Sequence, residues 1–194
     1  MVNNMFIQIE ETPNPNTLKF LPGFEIMSEG ETADFSNADE IKNSKLAVNL
    51  FQIEHVVRVF LGHDFISVTK SDRINWDIVK VEILTTIMDH FTSGGKAFDK
   101  EGVSDNKMLE EEFFNKNDIE IVNRIKELME SYIKPAVAQD GGDIKFRGYK
   151  DGIVYVVLQG ACSGCPSAAI TLKQGVQNML SYHIPEVSGI ETML

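Results

Sequence analysis

Cys162 and Cys165 are the residues of this sequence whose type and spacing could support chemistry. They are the only two cysteines among 194 residues and form a C-x-x-C pair in the segment Gly-Ala-Cys-Ser-Gly-Cys-Pro. A structural zinc ion or an iron–sulfur cluster generally takes about four protein ligands, and thiolates are preferred. One chain supplies two thiolates and two identical chains supply four. The motif therefore predicts a metal site shared across a symmetric dimer, the commonest form of homo-oligomer.

From the residues alone, the C-x-x-C pair has other interpretations. A zinc ion shared between two chains satisfies the same number of ligands as a cluster. A thioredoxin-like redox pair would use Cys162 to attack and Cys165 to resolve, although no βαβ unit precedes the motif. An inert structural disulfide is disfavoured because the sequence shows no secretion signal. The cluster is the interpretation that ligand number and context favour most.

The segments on either side of the cysteines predict the elements that position them. Ile153–Leu158 is a continuous apolar, β-rich run, which predicts a strand buried on both faces. Pro166 suits the first position of a following helix, because its missing N–H leaves nothing unpaired there. Cys165 would then lie beside a helix N-terminus, whose partial positive charge favours the thiolate. Four small residues are expected to leave backbone amides open to the sulfur atoms: Gly160, Ala161, Ser163 and Gly164.

Charge and composition exclude several functional classes. The net charge of −11 argues against a nucleic-acid partner, which needs a basic surface. No apolar run approaches the roughly 18–20 residues that span a bilayer, so no membrane partner is expected. The first residues match neither a signal peptide nor an Arg-rich transit sequence. Together with the low cysteine content, this predicts a reducing, cytoplasmic location.

Hydrophobic patterning predicts two mixed domains joined by an acidic stretch. Residues 99–117 carry six acidic residues against three lysines and few large apolar residues, which is typical of a solvated tether. We therefore predict a first domain over residues 1–95, a flexible linker over 96–116 and a second domain over 117–194. The fold class is α+β, with two small α/β-sandwich-type domains, and the second domain has the order α-β-β-α-β.

Element boundaries follow from the periodicity of apolar residues and from turn residues. In the first domain we predict strands at Met5–Ile9, Thr17–Leu21, Val56–Leu61 and Phe65–Thr69, a helix at Ser44–Phe51, and a helix capped by Asn75. In the second domain we predict a helix from Ile119 that ends near Pro135, then two strands, the cysteine loop, a helix and a short strand near Ile190.

Other residue types that could do chemistry have weaker support. His55 and His63 lack a nearby partner ligand, and His183 would lie at the far end of the helix after the cysteines. Asp140 and Asp143 could form an acid–base pair, but Gly-Gly between them favours a turn. The segment 93–96 lacks the spacing of a phosphate-binding loop. No active-site cleft is indicated, and we expect the protein not to be an enzyme.

Long motifs in both predicted domains resemble one protein family. The second domain contains Gln-Asp-Gly-Gly-Asp at 139–143, Leu-Gln-Gly-Ala-Cys-Ser-Gly-Cys-Pro-Ser at 158–167, Thr-Leu-Lys at 171–173 and Ile-Pro-Glu-Val at 184–187. These resemble the NifU C-terminal, or Nfu, domain. Thr-Pro-Asn-Pro-Asn-Thr-Leu-Lys-Phe-Leu-Pro-Gly at 12–23 and the segment 62–70 resemble the Nfu N-terminal domain.

The resemblance implies a carrier of iron–sulfur clusters. Members of that family bind a [4Fe–4S] cluster between two subunits through the C-x-x-C. The resemblance therefore implies that Cys162 and Cys165 are the ligands here and that cluster binding accompanies homodimerisation. Apo iron–sulfur client proteins and an upstream cluster-assembly scaffold are the implied partners, and the N-terminal domain is associated with recognising them. Two residues depart from the family pattern, His55 where glycine is usual and His63 where proline is common.

Overall fold

The computed structural model describes residues 5–38, 41–99, 112–163 and 166–193, except for the side chains of 166–169. The chain divides into two compact units, Met1–Ser104 and Asp105–Leu194. Each unit combines one β-sheet with helices, so the predicted α+β class is confirmed. None of the helices in the described ranges is long and apolar enough to cross a membrane.

The first unit is a five-stranded antiparallel sheet with two helices. Its strands lie in the order β1-β2-β5-β4-β3. Its elements are β1 (Gln8–Glu11), β2 (Thr17–Leu21), β3 (Ala33–Phe35), α1 (Lys45–Phe51), β4 (Val56–Leu61), β5 (Ile66–Lys70) and α2 (Trp76–Thr92).

The core of the first unit lies between the helices and one face of this sheet. The side chains that are fully buried there come from β2, β4, β5, α1 and α2: Phe20, Val59, Ile66, Val68, Leu46, Leu50, Ile83 and Ile87. Burying such a side chain contributes about 1.5–3 kcal/mol. Ser44 caps α1, since its hydroxyl accepts a hydrogen bond from the Ala47 amide at 3.0 Å. The same hydroxyl donates to the Ala97 carbonyl at 2.6 Å, which fixes the end of the unit against α1.

Three strands of the first unit differ from the sequence prediction, although β5 is shifted by only one residue, from Phe65–Thr69 to Ile66–Lys70. The first strand occupies Gln8–Glu11 rather than Met5–Ile9, because it pairs with β2 in a register that joins Gln8 to Leu21. Its polar side chains give little strand signal, yet an edge strand tolerates them. The short strand β3 was not predicted. Its Asp34 forms an ion pair with Arg58 of β4 at 2.6 Å.

The second unit contains a three-stranded sheet and confirms the α-β-β-α-β order. The hairpin β6–β7 is antiparallel, and β8 lies parallel to β7. Its elements are α3 (Ile119–Leu128), a π-helical turn (Met129–Ile133), α4 (Lys134–Gln139), β6 (Gly142–Lys150), β7 (Ile153–Gly160), α5 (Pro166–His183) and β8 (Gly189–Met193).

The first helix of the second unit passes through Pro135 instead of ending there, so that prediction was wrong. A π-helical turn precedes the proline, and the Lys134 amide bonds to the Met129 carbonyl five residues earlier. This insertion accommodates the proline ring, which would clash in a regular α-helix. It also keeps one face of the combined helix buried, at Val122, Ile125, Met129, Ile133 and Val137. Without it, residues four apart would drift about 40° per step around the helix axis.

Strand β7 is buried on one face only, which contradicts the predicted burial on both faces. Val154 and Val156 are fully buried, whereas Ile153, Tyr155 and Val157, which alternate with them, are partly exposed. The reason is that the helices of the second unit supply an apolar layer on one side of the sheet. On the other side the Phe113 ring lies 5.0 Å from Tyr155. Phe113 also exchanges backbone hydrogen bonds with β6 at Arg147 and Tyr149.

Candidate functional site

Cys162 lies in a tight turn directly after β7. The turn is closed by a hydrogen bond from the Ser163 amide to the Gly160 carbonyl at 3.1 Å. Gly160 has φ +64°, a left-handed conformation that favours glycine. The Cys162 side chain is 5% exposed and packs in the core of the second unit. Gly164 and Cys165 lie outside the described residues, so the structure describes one of the two predicted ligands.

A second turn, between α4 and β6, lies against the cysteine turn. The Gly141 carbonyl accepts a hydrogen bond from the Ala161 amide at 3.1 Å. A methyl group added at Gly142 would lie 2.8 Å from Cys162 Sγ and 2.5 Å from the Gln159 carbonyl oxygen. The Gln-Asp-Gly-Gly-Asp motif and the cysteine motif therefore form one contact region. The sequence predicted a turn at the two glycines but carried no local signal of this contact.

Two of the four amides near Cys162, those of Ala161 and Ser163, do not have the role that was predicted for them. The Ala161 amide donates to Gly141 and the Ser163 amide donates to Gly160. Both donors are therefore already used by backbone carbonyls, and the prediction that they remain open to sulfur was wrong. The helix predicted after the motif is confirmed, because α5 begins at Pro166.

Asp140 and Asp143 do not form the acid–base pair considered from the sequence. Asp140 is the C-terminal cap of α4, and Asp143 belongs to β6. The Asp143 carboxylate is buried and accepts a hydrogen bond from the Ile144 amide at 2.8 Å. Its cross-strand neighbour is Gln159, whose side-chain oxygen is buried and has no hydrogen-bond partner within the described ranges. These residues support the hairpin from which the cysteine turn extends.

The histidines are engaged elsewhere. His63 Nδ1 lies 2.8 Å from the Met27 carbonyl, and His90 Nε2 lies 2.9 Å from the Lys96 carbonyl. His55 Nδ1 lies 3.4 Å from the Ser71 hydroxyl. His183 is the last residue of the 18-residue helix α5, about 25 Å from its start. No group of three His, Cys, Asp or Glu side chains that could hold a metal ion occurs in the part of the chain that the structure describes.

Each of the two units matches the model of a known protein family. Residues 7–94 match the model described as "Scaffold protein Nfu/NifU N terminal", and residues 125–191 match the model described as "NifU-like domain". The second match includes Cys162 and Cys165. A solution NMR structure of a NifU-like protein from Saccharomyces cerevisiae is 29% identical, with a TM-score of 0.46, over 50% of this chain and 87% of that one.

Curated relatives are similar over nearly the whole chain. The human "NFU1 iron-sulfur cluster scaffold homolog, mitochondrial" is 47% identical over 194 residues, which cover 100% of this chain and 74% of the relative. The protein of the same name from Drosophila erecta is 46% identical over 189 residues, or 97% of this chain and 65% of the relative. The chain thus spans about two thirds of the length of that relative.

The names of these relatives contradict the cytoplasmic location predicted from the sequence. Both relatives are named as mitochondrial proteins. The low cysteine content indicated only a reducing environment, which does not by itself identify the compartment. The inference from cysteine content to the cytoplasm was therefore wrong.

Proposed function

Because this chain belongs to the Nfu family of iron–sulfur cluster scaffold proteins, we propose that two copies of it hold one [4Fe–4S] cluster and pass it to apo-proteins. Cys162 and Cys165 of each copy are the four ligands. The cluster is cargo in this proposal, and the protein is not an enzyme. The relatives' names support a mitochondrial location.

The position of Cys162 is the observation that carries the proposal. It lies at the end of β7, in a turn of small residues, within the segment that matches the NifU-like domain. Thiolate sulfur is the ligand that iron–sulfur clusters prefer. The neighbouring residues Gly142, Gly160 and Ala161 carry little or no side chain, so they leave room beside the sulfur once the turn opens. The donor type and its surroundings therefore fit a cluster.

Burial of Cys162 adds a step to cluster binding. At 5% exposure, the sulfur is covered by its own unit and cannot reach iron shared with a second chain without a local opening. Local openings of turns require much less free energy than global unfolding. Opening of the turn at residues 160–163 thus precedes loading. During transfer, a client thiolate takes the position on iron, and the cysteine of this chain leaves as a thiolate, so no electrons are exchanged.

The two units have separate roles in this proposal. The second unit, over about residues 117–194, holds the cluster, and the stretch between Ala97, which belongs to the first core, and Phe113, which pairs with β6, acts as the linker. The first unit, over about residues 1–95, recognises clients or the upstream cluster-assembly scaffold. The match of each unit to its own family model supports this division. Tethering a recognition unit to the donor site raises the effective concentration of a bound client.

A thiol–disulfide oxidoreductase is the second candidate function. It requires Cys162 to attack a substrate disulfide, and attacking thiols lie in partly exposed, electropositive surroundings. Cys162 is instead buried among apolar residues of the second unit. Burial opposes both functions until the turn opens, so it is the names of the relatives, which are iron–sulfur cluster scaffold proteins, that favour the carrier function.

Anaerobic reconstitution tests the proposal and separates the two functions. The full chain is incubated with ferrous iron, sulfide and a thiol reductant, then desalted. We expect a brown protein with about four irons and four sulfides per two chains, the composition of one [4Fe–4S] cluster, and Mössbauer spectra of that cluster type. A colourless protein that reduces a model disulfide as a metal-free monomer would contradict the carrier function and support the redox function.

A further inference from the structure

We propose that Gly142 is a positioning residue for Cys162: its bare α-carbon forms the wall against which the cysteine sulfur packs, and any side chain there displaces the sulfur. The inference rests on the proposed function for its consequence, since the sulfur has to leave this wall before it can bind iron shared with a second chain. The contact itself is a property of the folded second unit.

The need for glycine at this position is steric. Gly141 has φ +81°, so its backbone alone favours glycine, but Gly142 is not among the residues with positive φ. At Gly142 the constraint comes from neighbours: a Cβ atom would lie 2.8 Å from Cys162 Sγ, 3.3 Å from Cys162 Cβ and 2.5 Å from the Gln159 carbonyl oxygen. Separations below 3.0 Å force one of the atoms to move.

The sulfur is the neighbour that can move most easily. The Gln159 carbonyl belongs to β7, where Gln159 faces Asp143 and Gly160 faces Gly142 in the antiparallel ladder. Moving it disturbs the strand pairing. The sulfur, in contrast, ends a side chain that can rotate about χ1 into another staggered position. An alanine at position 142 therefore drives Cys162 out of its buried position as well as straining the hairpin.

A double-mutant cycle measures this contact without any cluster. The four full-length proteins are wild type, Gly142→Ala, Cys162→Ala and the double variant. The four tyrosines all lie in the second unit and the single tryptophan lies in the first, so tyrosine near-ultraviolet circular dichroism follows the second unit alone. We expect Gly142→Ala to lower the folding equilibrium constant both with Cys162 present and in the Cys162→Ala background. The decrease should be larger with Cys162 present, by a factor of roughly 2 or more, as is typical of coupled residues in contact.

The alkylation rate of Cys162 reports the local exposure of its sulfur, which a loss of stability elsewhere in the unit does not change. In a Cys165→Ser background, we expect Gly142→Ala to raise the rate of reaction with iodoacetamide roughly fivefold, because opening of the buried sulfur becomes easier. Gly148→Ala in the same strand is the matched control. The three atoms nearest to its added methyl group all belong to the Phe113 ring, at 2.6 Å, so it also strains β6 but through a contact with Phe113 rather than with Cys162. The control is expected to keep the parent alkylation rate.

With both cysteines present, Gly142→Ala is expected to speed the uptake of iron and sulfide, because the sulfur leaves its buried position more easily, and Gly148→Ala is expected to keep the wild-type rate. Additive free energies in the cycle together with unchanged alkylation of Gly142→Ala would overturn the positioning role. Failure of the wild type to take up iron and sulfide would overturn the proposed function instead, and the cycle would still report on the contact.

Discussion

The His55 carbonyl accepts a hydrogen bond from the Ser71 amide at 2.8 Å while His55 itself has φ +76°. This bond joins the residue before β4 to the residue after β5, and it holds His55 in the left-handed region. Residues with a Cβ atom are disfavoured in that region by about 1 kcal/mol. The structure thus explains why glycine is usual at this position in the family that the sequence resembles.

His55→Gly is expected to stabilise the first unit by about 0.5–1 kcal/mol, because glycine adopts positive φ without the steric penalty. Chemical denaturation followed by Trp76 fluorescence measures the change, since Trp76 is the single tryptophan. Gln52→Gly is the matched control: Gln52 has φ −73°, so glycine there only increases the entropy of the unfolded chain and lowers stability. A His55→Gly protein less stable than wild type would show that the imidazole contact with Ser71 outweighs the backbone strain.

Cys162→Ser and Cys165→Ser are each expected to abolish stable cluster binding and to leave the fold nearly intact. Serine is a poor ligand for iron in a thiolate cluster, and other residues, including Val156 and Leu180, form most of the core. Iron and sulfide content after reconstitution is compared with the far-ultraviolet circular dichroism of each variant. Ser163→Ala, in the same turn, is the control that keeps both thiols. A full cluster in Cys165→Ser would contradict the ligand assignment.

Cluster loading is expected to convert monomers to dimers. The sequence has two cysteines, so a site of four thiolates needs two chains, and binding that occurs only in the dimer stabilises it by mass action. Analytical ultracentrifugation of the protein before and after reconstitution tests this at low micromolar concentration. Sedimentation of the loaded protein as a monomer would mean that other ligands complete the coordination of iron.

The segment from residue 117 to 194 is expected to assemble the cluster alone, whereas residues 1–95 are not. Both cysteines lie in the second unit, which has its own apolar core. Transfer to apo-proteins is then measured from the full chain and from the fragment, loaded equally and below saturation. We expect the full chain to transfer faster to cognate clients, because the first unit tethers them. Equal rates for several clients would remove the recognition role and leave the carrier function.

The second unit is expected to lose stability above pH 10 through Tyr149. Burial raises the pKa of Tyr149 above its usual 10.0, and the charges of Asp118, Glu186 and Asp151 add to this. The folded state therefore holds the phenol proton more tightly than the unfolded state. The resulting stabilisation is complete below pH 10 and is lost as the pH rises from 10 through the raised pKa.

Tyr149→Phe tests this pH dependence. The free energy of unfolding of the segment 117–194, measured by far-ultraviolet circular dichroism at pH 8 to 11, should fall less steeply in Tyr149→Phe than in wild type. The variant also loses the hydrogen bond from the hydroxyl to the Glu186 carbonyl at 3.1 Å, which lowers stability at every pH. Tyr182→Phe, at an 83% exposed position, is the control and should keep the wild-type slope. Identical slopes in all three proteins would contradict the raised pKa.

Local patterns in the sequence determined much of this protein. The helix beginning at Pro166 and the strands β2 and β4 were predicted at the positions found, because alternation, turn residues and proline act within a few residues. The α+β class and the α-β-β-α-β order followed from the same patterns. The family resemblance followed from long motifs in both halves of the sequence.

Contacts between distant residues decided the rest. The burial of Cys162 depends on Gly142, which belongs to another strand, and the continuation of the helix through Pro135 depends on a π-helical turn and on the core that its buried face joins. The face of β7 that the helices do not cover contacts Phe113 through Tyr155, and Phe113 lies near the end of the predicted linker. None of these outcomes has a local signal, because each depends on which surfaces meet when the sheet and the helices pack.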